Sequence, residues 1–230
     1  MGSADAKRAV GEAAAKLVAP RMLVGLGTGS TAAFFHEALA RRNAAENLGV
    51  RCIPTSEETA RRAQGLGLEL VELGKHRVPD LTVDGADEIG PNLGLIKGGG
   101  GALVREKIVA AASRRMVVIA DATKRVRTLG AYPLPVAVVP FATQRVVDRL
   151  RELFEVMAVP RTNAEGSAVV TDDGLAILDL HFGSIPRPAL LETRLRQIVG
   201  VVESGLFVGL AHEALIAGDD GEVVRLGPED

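Results

Sequence analysis

The sequence predicts an α/β fold in which a Rossmann-like parallel sheet domain carries a smaller ferredoxin-like α+β domain, inserted near the C-terminus. Through the first 130 residues, apolar runs of strand length alternate with segments of helical spacing, which is typical of a parallel sheet with helices on both faces. Aromatic residues make up 3% of the 230-residue chain and apolar residues 47%. The core is therefore predicted to be aliphatic, as in buried parallel strands.

The Rossmann-like domain is predicted to comprise residues 1–130 and 205–230. Helical spacing of apolar residues predicts helices over 6–18, 32–42 and 57–66 and from residue 103 onward. Short apolar runs predict strands over 22–26, 51–54, 68–70, 81–84 and 116–120. The segment from Leu206 onward is predicted to rejoin this sheet.

The small domain is predicted over residues 131–204, where prolines become frequent. Its elements follow in the order strand 136–139, helix 142–157, strand 168–170, strand 175–178, helix 188–199 and a strand near Val201. The Asp173-Gly174 pair between the two middle strands is a strong hairpin signal. This β-α-β-β-α-β order is that of a ferredoxin-like domain.

Composition excludes several classes of function. With 27 Lys and Arg against 29 Asp and Glu the net charge is -2, and there is no basic run, so we expect no nucleic-acid partner. No run approaches the roughly 18 apolar residues that span a bilayer, so no membrane association is expected. The single cysteine, Cys52, excludes an internal disulfide, and the N-terminus lacks the pattern of a signal peptide. We therefore expect a cytoplasmic location.

Polar side chains follow four of the predicted strands. These clusters are Thr28 to Thr31, Thr55 with Ser56, Asp84 with Asp87, and Asp121 with Lys124. In an open α/β sheet, ligands bind beyond the carboxyl ends of the strands. Because all four clusters fall at that edge, the sequence predicts a binding site there.

The stretch from Lys97 to Lys107 combines a lysine, four consecutive glycines and a predicted helix start. Glycines allow a ligand to approach the backbone closely, and the N–H groups of a helix start attract anions. A carboxylate, Glu106, lies one turn into the helix, and in an anion pocket its best use is to accept a proton. The alternative is that Glu106 only favours the helix dipole and that the glycines form a flexible connector.

The turn from Gly25 to Thr31 is a second candidate for anion binding. Its glycine spacing matches neither the dinucleotide fingerprint nor the NTPase phosphate loop. The hydroxyls of Ser30 and Thr31 beside backbone N–H groups instead suit a phosphate monoester. The alternative, in which one hydroxyl merely caps the helix, stays open.

Four segments in this order resemble ribose-5-phosphate isomerase of the A type. They are GLGTGST at 25–31, DGADE at 84–88, KGGGGALVREK at 97–107 and ADATK at 120–124. The resemblance implies an enzyme of the pentose phosphate pathway that interconverts D-ribose 5-phosphate and D-ribulose 5-phosphate through an enediol(ate). It also implies that the enzyme needs no metal or other cofactor, acts on a small phosphosugar and is a homodimer or homotetramer.

The resemblance also implies roles for individual residues. Glu106 is the expected proton acceptor, already ionised at neutral pH without large tuning. Asp84, Asp87 and Lys97 complete the catalytic set, with Lys97 stabilising the oxyanion and either aspartate moving hydroxyl protons. The expected substrate-binding residues are Thr28, Gly29, Ser30, Thr31, Gly85, Ala86, Gly98, Gly99, Gly100 and Lys124, and Lys7 is a further candidate for the phosphate.

The sequence departs from the family pattern at Gly101, where alanine is usual, and at Val104, where a small polar residue is common. An extra glycine at the helix start is expected to loosen it, by up to about 1 kcal/mol relative to alanine.

Three other functions fit the sequence less well. A metal site would draw on Asp84, Asp87, Glu88 and the histidines 36, 76, 181 and 212, but these show no ligand spacing. A sugar-phosphate sensor would need the phosphate loop without Glu106. A nucleotide-dependent oxidoreductase is disfavoured by the glycine spacing.

Overall fold

The computed structural model describes residues 4–74, 78–218 and 220–228. The α-helices of these ranges are α1 (Ala4–Ala15), α2 (Ser30–Glu46), α3 (Glu57–Gly65), α4 (Leu103–Ala112), α5 (Thr143–Phe154) and α6 (Pro188–Arg196). The strands are β1 (Leu23–Leu26), β2 (Arg51–Pro54), β3 (Glu69–Leu70), β4 (Leu81–Asp84), β5 (Glu88–Ile89), β6 (Leu95–Ile96), β7 (Met116–Asp121), β8 (Leu134–Val138), β9 (Met157–Pro160), β10 (Ala176–His181), β11 (Val201–Ser204), β12 (Leu206–Phe207), β13 (Glu213–Ala217) and β14 (Val223–Leu226).

Seven strands form the main sheet, in the order β14-β13-β7-β4-β1-β2-β3. All neighbours are parallel except β14, which pairs antiparallel with β13. The predicted parallel sheet is confirmed. Its parallel strands end at one edge, where Asp84 and Asp121 are the last residues of β4 and β7.

Aliphatic side chains cover both faces of this sheet. Val24 and Val83 belong to a buried cluster with Phe35 and Leu39 of α2, whereas Leu23, one residue from Val24, packs with α4 on the other face. Each such aliphatic side chain contributes about 1.5 to 3 kcal/mol through burial. This packing makes the edge of the sheet a rigid base for its loops.

The smaller sheet has the order β11-β8-β10-β9 and is antiparallel throughout. With α5 and α6 it gives the predicted ferredoxin-like arrangement. The prediction of its second strand was wrong, because residues 157–160 fill that place while 168–170 make only isolated bridges. Buried Val156 and Ala158 alternate with exposed neighbours, which is the period of a strand, so α5 ends at Phe154 instead of reaching residue 157.

A third, three-stranded sheet connects the two larger ones, in the order β12-β6-β5. Leu206 and Phe207 pair with β6, so the predicted return to the main sheet was wrong for these residues. The return happens later, through β13 and β14. The exact residues at which one domain gives way to the other stay a prediction. No helix in the described part of the chain is both long and apolar enough to cross a membrane.

Candidate active site

A cleft of about 160 Å³ opens at the carboxyl ends of β1, β4 and β7. Its lining residues are Lys7, Thr28, Gly29, Ser30, Thr31, Gly85, Ala86, Asp87, Lys97, Gly98, Gly99, Gly100, Glu106, Asp121 and Lys124. The structure thus brings the sequence-predicted site residues together, except that Asp84 lies beneath the cleft, with none of its surface exposed.

Three charged side chains form a buried cluster at the floor of the cleft. The Lys97 ammonium lies 3.0 Å from Asp84 Oδ2 and 3.1 Å from Glu106 Oε1. It also donates a hydrogen bond of 2.7 Å to the Gly85 carbonyl, so it contacts three oxygen atoms of the protein. The other carboxylate oxygen of Glu106, Oε2, is buried and has no hydrogen-bond partner within the described residues.

The cluster has two carboxylates and one cation. Burial raises the pKa of Glu106 to about 8, with the Lys97 charge opposing this rise and the Asp84 charge adding to it. Burial likewise raises the pKa of Asp84, against the Lys97 charge. Burial disfavours the charged form of Lys97, but the two carboxylates outweigh it and raise its pKa. The expectation that Glu106 needs little tuning was wrong, because its surroundings exclude water.

Backbone contacts fix Asp84 at the end of β4. Its Oδ1 accepts hydrogen bonds from the N–H groups of Thr28, at 3.1 Å, and Gly85, at 2.7 Å. Position 27 must be glycine, because a Cβ there would lie 2.1 Å from Asp84 Oδ1. The end of β1 therefore approaches the Asp84 carboxylate closely.

The glycine loop faces Asp87 across the cleft. The Gly99 N–H donates a hydrogen bond of 2.8 Å to Asp87 Oδ2. Gly98 and Gly101 have φ angles of +104° and +84°, which favour glycine. Because Gly101 lies before α4 and has this backbone conformation, the expected loosening of the helix by glycine was wrong.

The opposite end of the cleft is suited to an anion. Lys7 Nζ lies 3.0 Å from Ser30 Oγ at the N-terminus of α2, whose N–H groups attract negative charge. Thr31 and Lys124 also line the cleft. The Thr28 hydroxyl instead hydrogen-bonds within a group of hydroxyls, at 2.8 Å from Thr55, 2.9 Å from Ser56 and 3.1 Å from Thr59.

Sequence reasoning missed three residues that support the site. Glu88, weighed above only as a metal ligand, accepts hydrogen bonds from the N–H groups of Gly130, at 2.7 Å, and Tyr132, at 2.6 Å. The Tyr132 hydroxyl lies beside Gly99, since a Cβ on that glycine would be 2.5 Å from it. Arg161, in the small domain, contacts the glycine loop. The one feature of the sequence that could have pointed to these residues is that Tyr132 is the single tyrosine of the chain.

The residues weighed for a metal site are dispersed. Within the described ranges no three His, Cys, Asp or Glu side chains are placed to hold a metal ion. Burial lowers the pKa of His36 to about 4, and His212 Nδ1 accepts the Met116 N–H at 3.1 Å. His181 lies on the surface, and His76 is outside the described residues.

Comparisons with known proteins agree in sequence and in structure. The family model of ribose 5-phosphate isomerase A (phosphoriboisomerase A) matches residues 51–221. The chain is 52% identical over 231 residues to ribose-5-phosphate isomerase A of Caulobacter sp. (strain K31), covering 99% of this chain and 100% of that one. It is 50% identical over 224 residues to the Synechococcus sp. (strain JA-3-3Ab) protein of the same name, covering 96% and 97%.

Two solved structures have the same fold. Ribose 5-phosphate isomerase A from Methanocaldococcus jannaschii has a TM-score of 0.92 and 39% identity, covering 97% of this chain and 98% of that one. A D-ribose-5-phosphate isomerase in complex with phospho-erythronic acid has a TM-score of 0.94 and 33% identity, covering 99% and 100%.

Proposed function

The chain belongs to the ribose 5-phosphate isomerase A family, and from this premise we propose how its residues catalyse the reaction of that family. The chain interconverts D-ribose 5-phosphate and D-ribulose 5-phosphate. In the aldose, the proton on C2 must move to C1 and the hydroxyl proton on O2 must move to O1. The intermediate is an enediolate, so the site needs a base above C1 and C2 and donors for the developing oxyanion.

Glu106 is the base in this proposal. The observation that supports this role is that one of its carboxylate oxygens has a partner and the other has none in the described part of the chain. Oε1 is held by Lys97 at 3.1 Å, while Oε2 is unpartnered within the described residues and Glu106 lines the cleft. Oε2 removes the proton from C2, and the electron pair forms the C1–C2 double bond while the C1=O1 double bond opens and leaves its negative charge on O1. The same carboxyl oxygen then returns the proton to C1 as the O2–H proton moves to O1 and C2=O2 forms. Fixing the carboxylate by one oxygen leaves the other correctly placed for both transfers.

The Gly100 N–H of the glycine loop stabilises the enediolate oxygen. The Gly100 N–H has no acceptor among the described residues, and Gly98 to Gly100 all line the cleft. Lys97 contributes its positive charge close to the reacting atoms. Fixed donors in a site that excludes water stabilise developing charge more than they would in water.

The two aspartates have different tasks in this proposal. Asp84 is fully buried beneath the cleft and its oxygens contact Lys97, Thr28 and Gly85, so it positions Lys97 and the loops. Asp87 lines the cleft, so it is the aspartate that moves hydroxyl protons and assists opening of the sugar ring.

The phosphate of the substrate binds at the end formed by Lys7, Ser30, Thr31 and Lys124. Two ammonium groups and two hydroxyls at a helix N-terminus match a phosphate monoester. The distance between this end and Glu106 then selects sugars whose C1 and C2 reach the base. This arrangement also supports a phosphosugar as the partner and not a nucleotide.

We propose further that the enzyme is a homodimer or homotetramer of the cytoplasm. Phe141 and Val199 of the small domain are almost fully exposed, and large exposed apolar side chains favour association. A single cysteine, Cys52, which is buried and free, suits a reducing compartment. Light scattering coupled to gel filtration, and fractionation of cells of the source organism, test these two statements.

The test of the mechanism is isomerisation of ribose 5-phosphate in D₂O, followed by NMR. Turnover with deuterium entering C1 of the ketose is expected, because a carboxylate base exchanges its proton with solvent. Glu106→Gln keeps the shape and removes the acceptor, so we expect turnover to fall by at least about 100-fold. Glu57→Gln, at an exposed surface pair with Arg105, serves as the matched control. Wild-type turnover in Glu106→Gln would refute the assignment, and binding without isomerisation by the wild type would indicate a sensor.

A further inference from the structure

Arg161 lies just after β9 in the small domain, and its side chain reaches the glycine loop. Its Nη1 donates hydrogen bonds to the carbonyl oxygens of Gly98, at 2.8 Å, and Gly99, at 3.1 Å. The rest of the guanidinium contacts Asp179, through Nε at 2.8 Å and Nη2 at 2.5 Å. The side chain of Arg161 is only 14% exposed, so these contacts form largely away from water.

The carbonyl groups of Gly98 and Gly99 both point at the Arg161 guanidinium. This fixes the direction of the N–H groups that belong to the same two peptide units. The chain has no cis peptide bonds in its described part, and in a trans peptide the N–H and C=O point in opposite directions. The N–H groups of Gly99 and Gly100 therefore both point away from Arg161. The Gly99 N–H does so, since it contacts Asp87 in the cleft at 2.8 Å.

A run of four glycines has no side chains that hold its peptide planes. Gly98 already has a φ of +104°, and glycines reach alternative backbone conformations at little cost. An anion-binding concavity made of successive N–H groups therefore needs an external contact to keep both groups turned to the cleft. Within the described residues, Arg161 provides charge-assisted hydrogen bonds to both carbonyl oxygens, the stronger class of such bonds.

We infer that Arg161 is a positioning residue for the reaction: it holds and polarises the Gly98 and Gly99 peptide groups so that the Gly99 N–H keeps Asp87 in place and the Gly100 N–H stabilises the enediolate. A cation on a carbonyl oxygen draws electron density from its peptide and makes the N–H a better donor. Arg161 does not line the cleft, so it acts through the backbone. The small domain thereby completes the oxyanion site of the large one. This inference rests on the proposed function.

Three variants separate this role from a structural one. Arg161→Gln removes the cation from both carbonyls. Asp179→Asn weakens the ion pair but leaves Arg161 bound to the glycine loop. Arg149→Gln breaks an exposed pair with Glu152 on α5 and is the control for a lost surface arginine. Circular dichroism and thermal unfolding of each variant report whether it folds.

The measurements are kcat, KM and the affinity for two probes. Phospho-erythronic acid has a carboxylate that resembles the planar, charged enediolate, whereas inorganic phosphate reaches only the phosphate end. For Arg161→Gln we expect kcat to fall about 10- to 100-fold, somewhat less than the loss of a direct oxyanion donor, with KM within about threefold. The Kd of phospho-erythronic acid should rise by a comparable factor and that of phosphate should not change. Asp179→Asn should lose much less, and Arg149→Gln nothing.

Three results would overturn the inference. They are an unchanged kcat in folded Arg161→Gln, equal losses in Arg161→Gln and Asp179→Asn, and a parallel loss of affinity for both probes. If Arg161→Gln does not fold, kcat and the affinities for the same two probes are measured for Arg161→Lys. A lysine ammonium keeps the positive charge but lacks the planar set of N–H donors that contacts Asp179 and both carbonyls. Isomerisation by the wild type in the same assay shows that a failure concerns Arg161 and not the proposed function.

Discussion

The pH dependence of catalysis offers a direct test of the buried cluster. Glu106 must be ionised to act as a base, and burial raises its pKa to about 8. We therefore expect kcat/KM, which reports the free enzyme, to rise with pH on an acidic limb far above the ordinary pKa of a glutamate. Asp84→Asn removes the second negative charge, so it should lower the pKa of Glu106 and move the limb to lower pH.

The size of this movement follows from the geometry. Asp84 Oδ2 and Glu106 Oε1 contact the same Lys97 Nζ at 3.0 and 3.1 Å, so these oxygens are no more than about 6 Å apart. Two charges at that distance repel by about 3 kcal/mol at an effective dielectric constant near 20. Because 1.36 kcal/mol corresponds to one pH unit, the limb should move down by about two pH units.

The assay is kcat/KM for ribose 5-phosphate between about pH 5 and 10, in buffers of constant ionic strength. The maximal rate of Asp84→Asn is expected to fall, but the position of its limb can still be measured. Asp173→Asn, which changes a partly exposed contact with Arg105, should leave the limb in place. A wild-type midpoint near 4.5, or an Asp84→Asn limb that moves upward or stays, would refute the electrostatic reasoning.

Three further predictions concern stability and phosphate binding. Because the pKa of Glu106 is raised in the folded protein, Glu106 contributes stability to the folded state that is present below about pH 4.5 and lost as pH rises through about 8. At pH 9, Glu106→Gln should therefore unfold at a higher temperature than the wild type. Calorimetry that shows no difference would contradict this. Gly101→Ala should lower the unfolding free energy by about 1 kcal/mol in urea titrations, because position 101 has a φ of +84°; a more stable variant would restore the view that alanine suits this site. Lys7→Met should raise the KM for ribose 5-phosphate about 10-fold or more with kcat little changed, through the loss of a charge-assisted contact, and an unchanged KM would remove Lys7 from the phosphate end.

The sequence predicts those parts of the site that depend on local patterns. Thr28 to Thr31, Asp84 and Asp121 each follow an apolar run of strand length, and parallel strands end at one edge. Their position at one edge of the sheet therefore follows from the alternation of strands and helices. The glycines before α4 can likewise be recognised in the sequence as part of the site, because a run of four glycines has few structural uses.

Other parts depend on contacts that no local pattern encodes. Arg161 meets Gly98 across 63 positions of the chain, and its surroundings in the sequence resemble an ordinary surface turn. The pKa of Glu106 depends on how completely its surroundings exclude water from the cluster, which only the packed structure determines. Strand β9 was missed because it directly follows α5, where helical and strand patterns overlap.

The contacts of Lys97 suggest how one cation serves two stages of the reaction. In the resting site the Lys97 ammonium forms an ion pair with Asp84 and donates hydrogen bonds to Glu106 and the Gly85 carbonyl, so Glu106 competes with a substrate oxygen for this cation. When Glu106 accepts the proton from C2 it becomes neutral, so its ion pair with Lys97 becomes a weaker hydrogen bond between an ammonium ion and a neutral carboxyl group. At the same moment the negative charge appears on the enediolate oxygen. In the proposed mechanism the Lys97 ammonium then shifts its interaction from Glu106 toward that oxygen, while the buried carboxylate of Asp84, which is held by two backbone N–H groups, keeps the ammonium within the cluster. The total charge of the buried cluster and its substrate is unchanged by this proton transfer, so the transfer avoids the large cost of creating an unpaired charge away from water.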